Sequence, residues 1–137
     1  MIAGCSVDPI DEGTLLVSVS ATQSIASPSI PSIVTVTARN DTSDRVVWGQ
    51  GSSGCQLSLS VLTSAGERHP ADIRACTQDF VDQALAPGAA RTETFEFTGE
   101  VVIDGLVVLL PAGDYRLVGN AGDKGESEAI GIVVAGG

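Results

Sequence analysis

The chain has 137 residues, 17 acids against 7 bases, a net charge of -10 and a hydrophobic fraction of 43%. That length points to one domain with a core of its own, and that apolar content excludes a disordered acidic chain. The charge excludes electrostatic binding to nucleic acid, which needs clustered Lys and Arg, and the single His excludes chemistry that needs several imidazoles.

The chain opens Met1-Ile2-Ala3-Gly4-Cys5. Ile-Ala-Gly-Cys resembles the lipobox of bacterial lipoproteins, in which a branched apolar residue and two small residues precede the Cys that takes the lipid. The resemblance implies lipidation at Cys5 and an extracytoplasmic protein whose only tie to the membrane is that lipid; no stretch is long and apolar enough for a transmembrane helix. The alternative is a small-residue leader with a spare thiol. With Cys5 set aside, Cys55 and Cys76 remain as an even pair, which suits an oxidising compartment. A disulfide between them closes a loop of about 20 residues and adds about 3 kcal/mol; the alternative is two buried free thiols. Residues 1–13 read as a polar tether and 14–137 as the domain.

From residue 14 onward the dominant signal is two-residue alternation of apolar and polar positions, the pattern of half-buried strands. Leu15, Val17 and Val19 mark a first strand, and the Pro-rich residues 27–31 end it. Val34, Val36 and Ala38 mark a second, followed by a turn at 40–44. Residues 45–48 form a short third strand and 49–54 a flexible connection. Leu57, Leu59 and Val61 mark a fourth strand, closed by a turn at 64–67. Residues 68–79 are polar, with room for a short irregular strand, and 80–85 are predicted as a helical turn stopped by Pro87 and Gly88. Phe95 and Phe97 lie on another strand. Residues 101–103 and 106–110 flank Asp104-Gly105, a two-residue hairpin turn of the kind that needs positive φ. Tyr115, Leu117 and Gly119 share one face of a late strand, residues 122–125 turn, and Ile130, Ile132 and Val134 mark the last strand.

No segment keeps a helical period over ten residues or more, and turn signals recur every eight to twelve. The expected fold is therefore all-β, an immunoglobulin-like antiparallel β-sandwich of about seven to nine strands. Leu110-Pro111-Ala112-Gly113-Asp114-Tyr115 has the form of a tyrosine corner, with Gly113 allowing the bend and Tyr115 returning its hydroxyl to the backbone upstream. The alternative is an ordinary strand Tyr.

Four elements in this order resemble the immunoglobulin-like domain of the bacterial intracellular proteinase inhibitor (BsuPI-like) family: Val-Thr-Ala-Arg-Asn-Asp-Thr-Ser-Asp at 36–44, the strand at 57–61 with its Ala65-Gly66 turn, Leu85-Ala86-Pro87-Gly88 before a Phe-rich strand, and residues 110–117. The resemblance spans residues 14–120. It implies a β-sandwich, and through its founding member, inhibition of a subtilisin-like serine protease. No inhibitory residue carries over, and 68–79 is the segment that would present an inhibitory loop.

Residues 49–54 match G-x-G-x-x-G, but they lead into a strand rather than a helix N-terminus, so a flexible loop is expected. Acids cluster at Asp8, Asp11 and Glu12, at Asp41 and Asp44, and at Asp79 and Asp82, and read as turn chemistry and solubility; the alternative is a Ca²⁺ ion held between loops. His69 precedes Pro70 and is expected on a surface loop, with no nucleophile turn to serve. Asn40-Asp41-Thr42 matches a glycosylation sequon that a turn suffices to explain. The sequence thus leads to a non-enzymatic, extracytoplasmic, lipid-anchored module that binds an unidentified protein partner, with no cofactor and no metal; protease inhibition is the alternative.

Overall fold

The computed structural model describes residues 14–48, 56–73 and 83–135. Among them are twelve strands and no helix: β1 (Leu16–Ala21), β2 (Ile25–Ala26), β3 (Ser32–Arg39), β4 (Val46–Trp48), β5 (Ser58–Leu62), β6 (Arg68–Pro70), β7 (Gln83–Leu85), β8 (Ala90–Phe97), β9 (Glu100–Ile103), β10 (Leu106–Leu109), β11 (Gly113–Asn120) and β12 (Ile130–Val134). The molecule is an immunoglobulin-like β-sandwich. A three-stranded sheet, β1-β3-β8, belongs to one layer and a five-stranded sheet, β2-β12-β11-β5-β6, to the other. Two ribbons, β4-β7 and β9-β10, complete the paired strands.

The alternation read from the sequence becomes burial. On β3, Val34, Val36 and Ala38 turn inward and are fully buried, and Val34 faces Phe95 across the ladder to β8. In the facing layer, Leu59, Val61, Leu117, Ile132 and Val134 fill the interior. With few aromatics the core is largely Val and Leu, which interdigitate well between two sheets. The layers approach so closely at Gly119 that a Cβ there would come within 2.7 Å of Val36 Cγ1. Gly119 is therefore held as glycine by packing, not by its backbone angle.

Three expectations need correction. Twelve strands lie among the described residues rather than seven to nine; β2 and β7 go beyond those read from the sequence, and with two and three residues they are too short for a period to register. Of the segment predicted as a helical turn, Gln83–Leu85 is a strand paired antiparallel with Val46–Trp48; the local preference loses to the ladder that Trp48 and Val46 offer. The sandwich is also not wholly antiparallel: β2 runs parallel to β12, pairing Ile25 with Val133 and Ala26 with Val134. The chain crosses to the edge of the second layer between β1 and β2, and the Pro-rich residues 27–31 then carry it back to β3 in the first.

Candidate binding surface

The two ends of the sandwich differ. At one end, polar side chains lock the layers together. Arg91 and Glu93 of β8 share the inward face with Phe95 and Phe97, since two-residue spacing puts all four on one side. The Glu93 carboxylate accepts the N–H groups of Gln56 (3.0 Å) and Leu57 (3.2 Å) at the start of β5, so it ties one layer to the other. Trp48 donates its indole N–H to the Gln56 carbonyl at 3.2 Å, and the Arg91 guanidinium lies over its ring, 5.7 Å from the centroid. Beside them the fully buried Asn40 uses its whole amide. Nδ2 donates to the carbonyls of Asp44 (2.8 Å) and Leu85 (2.9 Å), and Oδ1 accepts from the Thr42 N–H (2.9 Å) and hydroxyl (2.6 Å). The sequon is thus a structural turn, and the amide of Asn40 has no proton free for a sugar in the folded domain. Asp41 pairs with Arg39 at 2.9 Å on the surface. Period-two reading extended back from Phe95 would have placed Arg91 and Glu93 inside; nothing in the sequence marks what they touch.

Elsewhere the β9-β10 hairpin and the corner after it dominate. Asp104 and Gly105 adopt φ of 53° and 79°, the two left-handed positions of a tight hairpin turn. The ladder pairs Ile103 with Leu106, Val102 with Val107, Val101 with Val108 and Glu100 with Leu109. Beyond it, the Leu110 N–H donates to the Gly99 carbonyl at 2.9 Å. Antiparallel ladders alternate hydrogen-bonded and non-bonded pairs. The bonded pairs are therefore 99 with 110, 101 with 108 and 103 with 106. It follows that Val107 and Leu109 turn their N–H and C=O groups to the outer edge, and among the described residues no strand pairs there.

The two strands of the hairpin have opposite fates. Val101 is fully buried and Ile103 packs against the core. All four residues of β10 are exposed, Leu106 at 67% and Val107 at 55%. Soluble proteins usually guard an open edge with a charge, a proline or a bulge; Leu106-Val107-Val108-Leu109 carries neither charge nor proline.

The chain then turns a corner into β11. The Tyr115 hydroxyl donates to the Pro111 carbonyl at 2.7 Å, bracing the segment that carries β10 back into the sandwich. Gly113 lies inside this bend, with the Tyr115 ring 4.0 Å from where its Cβ would stand. Tyr115→Phe removes this one bond and is expected to lower stability by about 1 kcal/mol, read as a fall in denaturation midpoint with an unchanged far-UV spectrum.

Beside the corner lies an open cleft of about 470 Å³, lined among others by Glu67, His69, Ile103, Leu110, Asp114 and Tyr115. His69 is not on a surface loop, as its polar surroundings suggest. It lies within β6, paired with Val61, with its side chain 20% exposed and Nε2 3.7 Å from the Glu67 carboxylate. The segment 68–79 proposed for an inhibitory loop thus begins as a paired strand; its residues from 74 onward lie outside the described residues. Among the described residues no group of three or more His, Cys, Asp or Glu could hold a metal ion.

On the same strand as His69, Arg68 pairs with Glu126 at 2.9 Å. The Arg68 hydrogen bond holds the Glu126 carboxyl below its ordinary value of 4.5, opposed by slight desolvation and helped by the Arg68 charge and by Asn120. A carboxyl depressed on folding stabilises the fold above its unfolded value, and that stability is lost as pH falls through the folded value. Both partners are largely exposed, so solvent screening keeps the gain under about 1 kcal/mol. Arg68→Ala is expected to return Glu126 to the ordinary carboxylate range in an NMR titration and to leave stability at neutral pH nearly unchanged.

Several sequence candidates lie outside the described residues: Cys5, Cys55 and Cys76, the glycine-rich 49–54, and the acids at 8, 11, 12, 79 and 82.

No family model matches the chain, and no curated protein matches it. Solved structures do. Over 90% of its length the chain is similar to a β-glucosidase from Erythrobacter marinus, with a TM-score of 0.53 and 16% identity. A β-glucosidase involved in saponin metabolism from intestinal bacteria also matches over 90%, at 0.54 and 13%. The β-glucosidase of Listeria innocua in complex with glucose matches over 89%, at 0.51 and 13%. The chain spans 16% of each of these chains, so the likeness is to a small part of much longer proteins. It shows a shared fold and carries nothing about activity.

Proposed function

We propose that this chain is a non-catalytic immunoglobulin-like module, held outside the cytoplasm by a lipid on Cys5, that binds a protein partner through the β9-β10 hairpin. The observation that supports it most is β10 itself: four consecutive exposed apolar residues on an open strand edge. Such an edge offers backbone donors and acceptors together with apolar side chains, the combination that strand addition uses. The Tyr115–Pro111 hydrogen bond braces the corner that follows this edge. The resemblance to a family whose founding member engages a protease falls in the same class, recognition of a protein.

Photo-cross-linking in the cells of origin tests this reading. A photoreactive residue at position 106, on the hairpin, is expected to capture a protein in the membrane fraction. The same residue at position 96, exposed on the outer face of β8, is expected to capture none. Equal capture from both positions, or none from 106, overturns the hairpin as the binding surface. Native protein whose Cys5 carries no diacylglycerol in mass spectrometry overturns the anchor.

A further inference from the structure

We propose that the strand added to β10 is the β10 of a second copy of this chain, which joins the two sandwiches edge to edge about a two-fold axis. This rests on the hairpin's being the docking surface. The ladder leaves only Val107 and Leu109 with outward-facing backbone groups on β10. Antiparallel pairing requires outward groups to meet outward groups. One self-pairing register uses both: Val107 opposite Leu109 of the second copy, Leu109 opposite its Val107, and Val108 opposite Val108 on the axis. Each of the two outer pairs exchanges two hydrogen bonds, and Leu106 comes beside Leu110 of the other chain. Every side-chain pair along the seam is apolar.

The ends of the seam fit as well. Gly105 comes opposite Pro111, which has no N–H to strand and whose carbonyl already accepts from Tyr115. Asp104, the acid at the hairpin tip, comes opposite Ala112, so no acid faces an acid along the seam. That matters for a chain of net charge -10. Two copies repel over most of their surfaces, and the uncharged β10 is where they can meet at least electrostatic cost. A closed two-fold contact of this kind uses the same patch on both partners and stops at the dimer.

Sedimentation velocity of the purified full chain, over a concentration series at low and high salt, tests the inference. The expected result is a monomer–dimer equilibrium that tightens as salt screens the repulsion. Val107→Pro deletes an outward N–H and no bond of the hairpin; it is expected to weaken the dimer at least about tenfold, or 1.4 kcal/mol, with an unchanged far-UV spectrum. Val108→Lys and Val108→Glu are each expected to be monomeric, and to dimerise when mixed, because the axis sets position 108 against itself.

A wild-type chain that stays monomeric at high salt and high concentration overturns the inference. So does a Lys/Glu mixture that stays monomeric, or a folded Val107→Pro variant that dimerises as tightly as wild type. The wider reading fails separately: a monomeric chain whose position 106 cross-links to a different protein overturns the second copy and leaves the docking surface standing, whereas no cross-link at all overturns both.

Discussion

Trp48→Ala is expected to lower unfolding free energy by about 4 kcal/mol, a large share of what a domain of this size holds. The side chain is 2% exposed and among the largest that are fully buried. Three further features raise the cost above that of an ordinary cavity. The indole N–H bond to Gln56 disappears, leaving a carbonyl near the β5 start with one partner fewer. Arg91 loses the ring beneath its guanidinium, and its Nη1, already buried without a hydrogen-bond partner, gains nothing in return. The turn at Gly122, where a Cβ would sit 2.9 Å from Trp48 Cδ1, loses the wall it packs against. A small domain holds roughly 5–15 kcal/mol in total, so this variant is expected to be partly unfolded at physiological temperature. Trp48→Phe keeps most of the ring volume and is expected to recover more than half of the loss. Urea denaturation followed by circular dichroism measures both; fluorescence cannot, since Trp48 is the only Trp.

Asn40→Ala is expected to cost about 3 kcal/mol. The residue is fully buried, and its amide joins three segments: the end of β3, the turn that leads to β4, and the end of β7 at Leu85. Truncation leaves the Leu85 carbonyl, whose bond is buried, without this donor, and takes one partner each from the half-buried Asp44 carbonyl and Thr42 N–H, although the Asp44 carbonyl keeps the Thr42 hydroxyl. Asn40→Asp preserves shape but loses both donors, and it sets a carboxylate against two carbonyl oxygens. It is expected to be at least as damaging as Ala at neutral pH. Urea midpoints read by Trp48 fluorescence measure both.

The elements legible in the sequence share one physical property: a strand with one wet face and one dry face. β1, β3, β8, β11 and β12 are long enough, at five to eight residues, for alternation to show. The hairpin turn was legible because Asp104-Gly105 supplies two positive φ values at little cost. What stayed hidden is set by pairing rather than by pattern. Ile25–Ala26 is a strand only because the edge of β12 lies beside it. Gln83–Leu85 is a strand because β4 is its partner, and His69 is held in a strand by Val61. The inward-facing Arg91 and Glu93 obey the alternation but look like surface charges unless their partners at Trp48, Gln56 and Leu57 are known. The candidate surface was least legible of all. Leu106-Val107-Val108-Leu109 is uniformly apolar, so no alternation distinguishes an exposed edge from a buried strand, and only the fold shows that β9 takes the interior place and β10 does not.

Amide exchange at single-residue resolution on Val107 and Leu109 tests most directly the central claim, that the open edge of β10 takes up the β10 of a second copy. Neither amide is bonded within the hairpin, whereas those of Val108 and Leu106 face β9. The predicted result is slow exchange at Val107 and Leu109 in concentrated protein and fast exchange after dilution, with Val108 protected throughout. Fast exchange at both concentrations would contradict the claim.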